Sequence, residues 1–158
     1  MYSTCRIQWK PLLLSLLVSL GTGALSAFFT GDAMRRYGSV RRPLFAPPAW
    51  IFPAVWTVLF FLMAVSAYLV YESGCTWKKS ALTVYCVQLA VNFFWPLIFF
   101  NRGAYFFAFV WLLLLWLLVL AMILLFLGCR RSAGLLQIPY LVWLTFAAYL
   151  NYFVWVLN

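Results

Sequence analysis

Ala104-Tyr-Phe-Phe-Ala-Phe-Val-Trp-Leu-Leu-Leu-Leu-Trp-Leu-Leu-Val-Leu-Ala-Met-Ile-Leu-Leu-Phe-Leu127 runs for 24 residues without a charge, an amide or a proline. A helix needs about 20 residues to cross a hydrocarbon core of ~30 Å. The run lacks the alternation of a strand and the polar face that a soluble helix turns to water. In lipid only helices and closed barrels satisfy their own backbones, so it reads as a membrane-spanning helix. The same reading extends to residues 11–29, 49–71, 80–100 and 133–157, each about 19 to 25 residues long. Charges are confined to the N-terminal segment and the short bridges between these runs. Short bridges force antiparallel neighbours. The expected fold class is therefore all-α: a five-transmembrane-helix up-down bundle forming a single membrane domain over residues 1–158.

Composition agrees, at 68% hydrophobic, 8% charged and a mean hydropathy of +1.02. The net charge of +9 arises because eleven Lys and Arg face only Asp32 and Glu72. Basic residues flanking membrane spans point to anionic lipid headgroups, not to nucleic acid. With no histidine, His-based acid–base catalysis and His ligation of metal or haem are excluded. Both carboxylates lie at helix ends, which leaves no mid-membrane acid for ion coupling. No metal site and no required cofactor are expected. Cys5, Cys75, Cys86 and Cys129 show no C-x-x-C pairing, and their spacing supports neither a disulfide framework nor a zinc site. Cys86 is expected to be a small buried apolar residue.

The first span has a rival reading. Arg6 and Lys10, then Leu12–Leu20, then Ala24-Leu-Ser-Ala27 resemble a cleavable leader. Against it, the apolar run continues through Phe29. Ser15, Ser19, Gly23 and Ala27 also recur every fourth residue, a small-residue stripe on which another helix can close. The charge rule leaves orientation undecided: Arg6, Lys10, Lys78, Lys79, Arg130 and Arg131 on one side face Arg35, Arg36, Arg41, Arg42 and Arg102 on the other.

Few polar side chains interrupt the spans: Thr57, Ser66, Thr83, Gln88, Asn92, Thr145 and Asn151. Gln88 and Asn92 sit one turn apart and are expected to face the bundle, as interhelical bonds or as contacts to a ligand edge. Pro53, Pro96 and Pro139 fall within or near helices and can bend them. Nine tryptophans exceed what interfacial belts require. Trp9, Trp77 and Trp155 suit belts, whereas Trp50 and Trp56 adjoin the long loop 30–48. Trp143, Ala147, Leu150 and Asn151 share one helical face; an indole beside an alanine leaves a shelf where a flat apolar molecule could lie, although spacing alone favours ordinary helix packing.

At these residues a family resemblance emerges. Arg42-Pro-Leu-Phe-Ala-Pro-Pro-Ala-Trp50, Trp56-Thr57 and Ala67-Tyr-Leu-Val-Tyr71 resemble the translocator protein family, also called tryptophan-rich sensory proteins or peripheral benzodiazepine receptors. Gln88-Leu-Ala-Val-Asn-Phe-Phe-Trp-Pro-Leu-Ile-Phe-Phe100 and Pro139-Tyr-Leu-Val-Trp-Leu-Thr-Phe-Ala-Ala-Tyr-Leu-Asn-Tyr-Phe-Val-Trp155 carry the rest of the match, in the same order. The resemblance implies a five-helix protein, often a homodimer, with one cavity capped by the first loop. It implies porphyrins and related tetrapyrroles as ligands, with sterols a further class. Trp56, Asn92, Trp143, Ala147 and Leu150 match pocket-lining family positions. Trp56 and Trp143 match the tryptophans linked to light- and oxygen-dependent porphyrin breakdown in some bacterial members.

The candidate ligand-binding set is thus Trp50, Trp56, Asn92, Trp143, Ala147, Leu150 and Asn151. Arg41 and Arg42 are candidates for pairing with porphyrin propionates. Departures limit the carry-over. No basic residue follows Tyr152, where the sterol pattern needs one. The first loop's tryptophan–tyrosine pair reads Arg36-Tyr37, and the tryptophan of the family's Pro-Ser-Trp run is Phe45. Phe107 and Trp111 replace a tryptophan and an aspartate of the animal protein, and Thr83 and Val87 replace the glycine pair proposed for dimerisation. The expected function is binding of a flat tetrapyrrole, as sensor, scavenger or regulator of its metabolism. Photo-oxidative degradation and passive transfer are the alternatives. The short tails favour a bacterial cell membrane, with the mitochondrial outer membrane as the eukaryotic counterpart.

Overall fold

A computed structural model describes residues 7–158, apart from the Met34 side chain. Cys5 and Arg6, used in the cysteine and charge arguments, lie outside the described residues. The elements are α1 (Trp9–Thr30), α2 (Ala33–Ser39), α3 (Ile51–Tyr71), α4 (Lys78–Pro96) with a π-helical turn Leu97–Asn101, α5 (Tyr105–Cys129), α6 (Arg131–Leu135) and α7 (Ile138–Leu157). Five helical segments are long and apolar enough to cross a bilayer, α4 with its π turn and the α6–α7 pair each counting as one. The five-span all-α bundle is what the hydropathy pattern dictates.

Local chemistry sets the boundaries. Gly31 ends α1 at φ 42°, where a side chain would be strained, and its N–H returns to the Ala27 carbonyl at 3.1 Å. Pro96 lacks an amide hydrogen, and directly after it the ladder shifts register into the π turn. Pro139 differs from its expected role as a bend. It lies in the first turn of α7, where its missing N–H costs nothing, and the fifth span is interrupted just before it at Leu136 and Gln137.

In lipid, helices associate through close packing and polar bonds more than through hydrophobic burial. α1 uses its small-residue stripe in this way. The Ser15 hydroxyl donates to the Ala64 carbonyl on α3 at 2.5 Å, and the Ser19 and Tyr85 hydroxyls pair. A Cβ on Gly23 would lie 2.5 Å from the Phe60 ring, so the absence of a side chain lets α1 close on α3. The stripe leaves the seam at Ala27, which is exposed; Ser26 replaces it, donating to the Phe93 carbonyl at 3.1 Å. Indole N–H groups fasten α5, from Trp111 to the Val91 carbonyl at 2.8 Å and from Trp116 to the Thr145 hydroxyl at 2.9 Å.

Two cysteine expectations are corrected. Cys75, in the α3–α4 bridge, and Cys129, at the end of α5, form a disulfide with Cα atoms 5.0 Å apart. Their separation of 54 residues hides the pairing in sequence; only the antiparallel packing of α3, α4 and α5 brings the two bridges together. Cys86 is exposed on the outer face of α4, beside Val18 and Thr22 of α1, not buried. A thiol is apolar enough for a lipid-facing position.

Each end of the bundle has its own bonds. At the disulfide end, the Gln8 amide donates to the Tyr68 hydroxyl at 3.0 Å and the buried Ser66 hydroxyl donates to the Ala133 carbonyl at 2.5 Å. At the opposite end, the first loop with α2 folds over α3, the π turn and the end of α7.

Candidate functional site

The site lies under the first loop, where α3 and α7 meet through bulky side chains. Phe52 and Trp56 on α3 are one turn apart, as are Tyr140 with Leu144 and Trp143 with Ala147 on α7. Phe52 meets Trp143 edge-on with ring centres 5.8 Å apart, and Trp56 meets Tyr140 at 6.0 Å. These rings space the two backbones, and the small Ala147 leaves room beside them.

The resulting cavity encloses about 20 Å3, close to the space of one water molecule. Its α7 wall is Ala147, Leu150, Asn151 and Val154. Phe52 supplies the α3 side, and Trp95, Phe99 and Phe100 come from α4 and its π turn. The π turn matters here because it swings Phe99 and Phe100 to the bundle end, where Phe99 stacks on Trp95 at 5.3 Å. Tyr37, Arg42, Pro43 and Ala46 form the roof.

The roof is held in place by Arg36, whose guanidinium donates to the Phe100 carbonyl at 2.9 Å and the Asn101 side-chain oxygen at 2.8 Å. Asn101 in turn donates to the Phe29 carbonyl at 2.9 Å, tying the roof to the end of α1. On the other flank the Asn158 side chain pairs with the backbone of Arg41, accepting from its N–H at 3.1 Å and donating to its carbonyl at 3.0 Å. The Arg42 guanidinium lies over the Tyr37 ring, 4.5 Å from its centre, and remains exposed at the mouth. Burial pushes the Tyr37 phenol above its ordinary range, with the nearby Arg42 pulling it back in part.

Of the sequence-derived candidates, the fold brings Arg42, Ala147, Leu150 and Asn151 together on the cavity wall. Trp143 stands one turn before Ala147 and touches the cavity through Phe52. Its indole N–H is buried and finds no partner among the described residues. Trp56 packs between Phe60 and Tyr140, away from the wall. Asn92 is committed inside the bundle: its amide donates to the Tyr140 hydroxyl at 2.6 Å, and that hydroxyl donates to Gln88 at 3.0 Å. Trp50 is 66% exposed at the start of α3. Arg41 is exposed, its backbone held by Asn158. Asn151 is engaged from within, accepting from the Trp95 indole at 3.3 Å and donating to the Tyr105 carbonyl at 2.9 Å.

Reading the sequence alone missed Tyr37, Phe52, Trp95, Phe99 and Phe100 as wall residues. Spacing held a signal for three of them, since Phe52 precedes Trp56, and Trp95 precedes Phe99, by one turn. Tyr37 had none, because its helix α2, Ala33–Ser39, is too short to show an apolar period.

Comparison with known proteins gives this geometry a context. The family model described as the TspO/MBR family matches residues 14–156. Protein CrtK of Rhodobacter capsulatus is 39% identical over 140 residues, covering 86% of this chain and 85% of its own. The tryptophan-rich protein TspO of Archaeoglobus fulgidus is 34% identical over 149 residues, covering 93% and 96%. The human translocator protein is 36% identical over 151 residues, covering 93% and 89%. A match across nearly the whole chain, on a bundle with five helical segments long and apolar enough to span a membrane, places this integral membrane protein in the TspO/MBR family.

Proposed function

We propose that the protein binds a flat tetrapyrrole of the porphyrin class beneath its first loop, as a sensor, scavenger or regulator of tetrapyrrole metabolism. One observation carries the reading: the Trp143 indole N–H, buried and without a partner, stands beside an aromatic and alanine-floored wall. An unpaired buried donor costs about 1–3 kcal/mol, and a ligand acceptor at that point would recover it. Phe52, Trp95 and Phe99 offer faces and edges to a macrocycle, and Arg42 at the mouth suits a propionate. Sterols fit less well, since a sterol offers no anionic edge for Arg42.

Drug-sized ligands occupy pockets of about 300–1,000 Å3, so a cavity of about 20 Å3 belongs to a closed form. Binding on this reading displaces the roof while the bundle stays intact. The test compares a free dicarboxylate porphyrin with its dimethyl ester on purified full-length protein. The free acid should bind more tightly, and Arg42→Gln should remove most of that preference. Equal affinities of wild type for acid and ester would refute the propionate contact.

Light- and oxygen-dependent breakdown of the bound ligand is the second reading, favoured only by the position of Trp143 near the wall. Trp56, the other indole of that reading, is wedged between Tyr140 and Phe60. Illumination should then yield a product that Trp143→Phe suppresses and Trp56→Phe leaves largely unchanged. Bleaching at the rate of free porphyrin in detergent would dismiss it.

A further inference from the structure

The Cys75–Cys129 disulfide draws the basic residues of two bridges onto one surface. Lys78 and Lys79 lie three and four residues after Cys75, and Arg130 and Arg131 follow Cys129 directly. The two cysteine Cα atoms are 5.0 Å apart, and the Lys78 N–H donates to the Cys75 carbonyl at 3.3 Å, closing a turn. A turn of this kind keeps its ends within about 7 Å, so the Lys78 and Arg130 backbones lie no more than about 16 Å apart. The surface is also rigid. Ser66 holds Ala133 of α6, and a Cβ on Gly134 would collide with the Leu127 side chain, so α6 closes directly on α5. The Lys78 Nζ donates to the Tyr71 carbonyl at 3.1 Å. Against these four cations the two bridges hold one acid, Glu72, and it forms no ion pair with a described residue. Lys79, Arg130 and Arg131 are exposed and have no side-chain partner among the described residues. The mouth differs, since Arg35 pairs with Asp32 at 3.8 Å, Arg36 bonds Phe100 and Asn101, and Arg42 lies over Tyr37.

We propose that the disulfide end of the bundle binds an anionic phospholipid that carries two phosphates on one headgroup, of the diphosphatidylglycerol class. One phosphate meets Lys78 and Lys79, the other Arg130 and Arg131, whose guanidinium forks suit phosphate oxygens. The exposed hydroxyls of Thr76 and Ser132 add donors between them. Depth favours a lipid over a soluble anion. Trp77, 62% exposed beside Lys78, suits the headgroup level, and the exposed Leu127 and Leu124 lead from Arg130 down the outer face of α5, where acyl chains would lie. The covalent link favours two phosphates over one. A lipid with a single phosphate fills one cation pair and leaves the other to water. Joined phosphates bind both pairs as one ligand, the second contact gaining from the first because the disulfide already limits the separation. The site stands apart from the tetrapyrrole reading, which concerns the opposite end.

The test follows lipid adducts of the purified full-length protein by native mass spectrometry in detergent. Diphosphatidylglycerol and phosphatidylglycerol compete at equal phosphate concentration, and the first should bind about tenfold more tightly. Lys79→Gln with Arg131→Gln should remove most of that preference. Arg35→Gln with Arg102→Gln, an identical loss of charge at the mouth, should leave it unchanged. Cys75→Ser with Cys129→Ser keeps every cation but frees their spacing, and should lower the preference several-fold in protein that still shows a cooperative unfolding transition. Inorganic pyrophosphate, a soluble anion with two phosphates, should fail to displace the lipid even in large excess. Equal binding of the two lipids, an equal loss of preference in the mouth variant, or a preference indifferent to the disulfide would each overturn the proposal. Displacement by pyrophosphate would overturn the lipid assignment in favour of a soluble phosphate.

Discussion

At the end that holds Cys75 and Cys129, a covalent link joins two bridges and a buried hydrogen bond runs from Ser66 of α3 to Ala133, whereas the mouth is held by exposed or half-buried hydrogen bonds and by the aromatic contacts of Tyr37 and Phe45. Water competes for exposed bonds and leaves each worth little, while a buried bond costs its full desolvation to break. The same chain thus fixes one end of its bundle and leaves the other able to part. Motion confined to the mouth is what a closed cavity of about 20 Å3 needs if it is to admit a larger guest.

Removing the disulfide should have the largest effect on stability. For a closed loop of 54 residues the chain-entropy argument gives at most about 4 kcal/mol, and less here because the spans stay inserted when packing is lost. Cys75→Ser with Cys129→Ser should lower the unfolding midpoint in detergent and leave ligand affinity within about twofold of wild type, a change well under 1 kcal/mol. A tenfold loss of affinity at an unchanged midpoint would break the division between the ends.

Next in size is the buried network in the middle. Tyr140→Phe strands the amides of Gln88 and Asn92 in the bundle and should cost about 1–3 kcal/mol, read by thermal unfolding. A neutral result would mean that both amides find new partners.

At the mouth, Asn158→Ala removes both bonds to Arg41 and should change global stability by less than about 1 kcal/mol. Ligand association should nevertheless speed up several-fold, because a larger fraction of the protein would be open. An unchanged association rate would show that the roof does not limit access.

The smallest effect concerns pH. Tyr37 has its phenol pushed above the ordinary value of 10.0, so the folded roof favours the neutral form. Its stabilisation is complete below about pH 10 and is lost as pH rises through the elevated folded value. Association kinetics should therefore show no contribution from Tyr37 between pH 6 and 9, and Tyr37→Phe should leave that profile unchanged.

Much of the fold was legible because lipid imposes a simple rule, and runs such as 104–127 obey it without exception. The α1 stripe was legible for the same reason, since spacing of four residues maps directly onto a face. What spacing could not carry were contacts between distant bridges. Cys75 and Cys129 look unrelated until the packing of α3, α4 and α5 makes them neighbours. Helical periodicity put Ala147, Leu150 and Asn151 on one face of α7, and that face forms part of the cavity wall; their pocket role came from the family resemblance, not from spacing. Trp56 and Asn92 share the right helices, yet Tyr140 takes both inward, a preference that depends on three-dimensional partners. Tyr37 and Arg36 lay out of reach because the seven residues of α2 are too few to show an apolar period.

Whether a flat ligand lies against Ala147 is decided by one titration. Titrating a porphyrin into purified protein while following tryptophan fluorescence should give saturable quenching at one ligand per chain. Ala147→Phe, confirmed folded by its unfolding midpoint, should weaken binding at least tenfold by filling the floor of the cavity. Quenching that rises without saturation, as for free indole in detergent, or an Ala147→Phe titration superimposable on wild type, would contradict it.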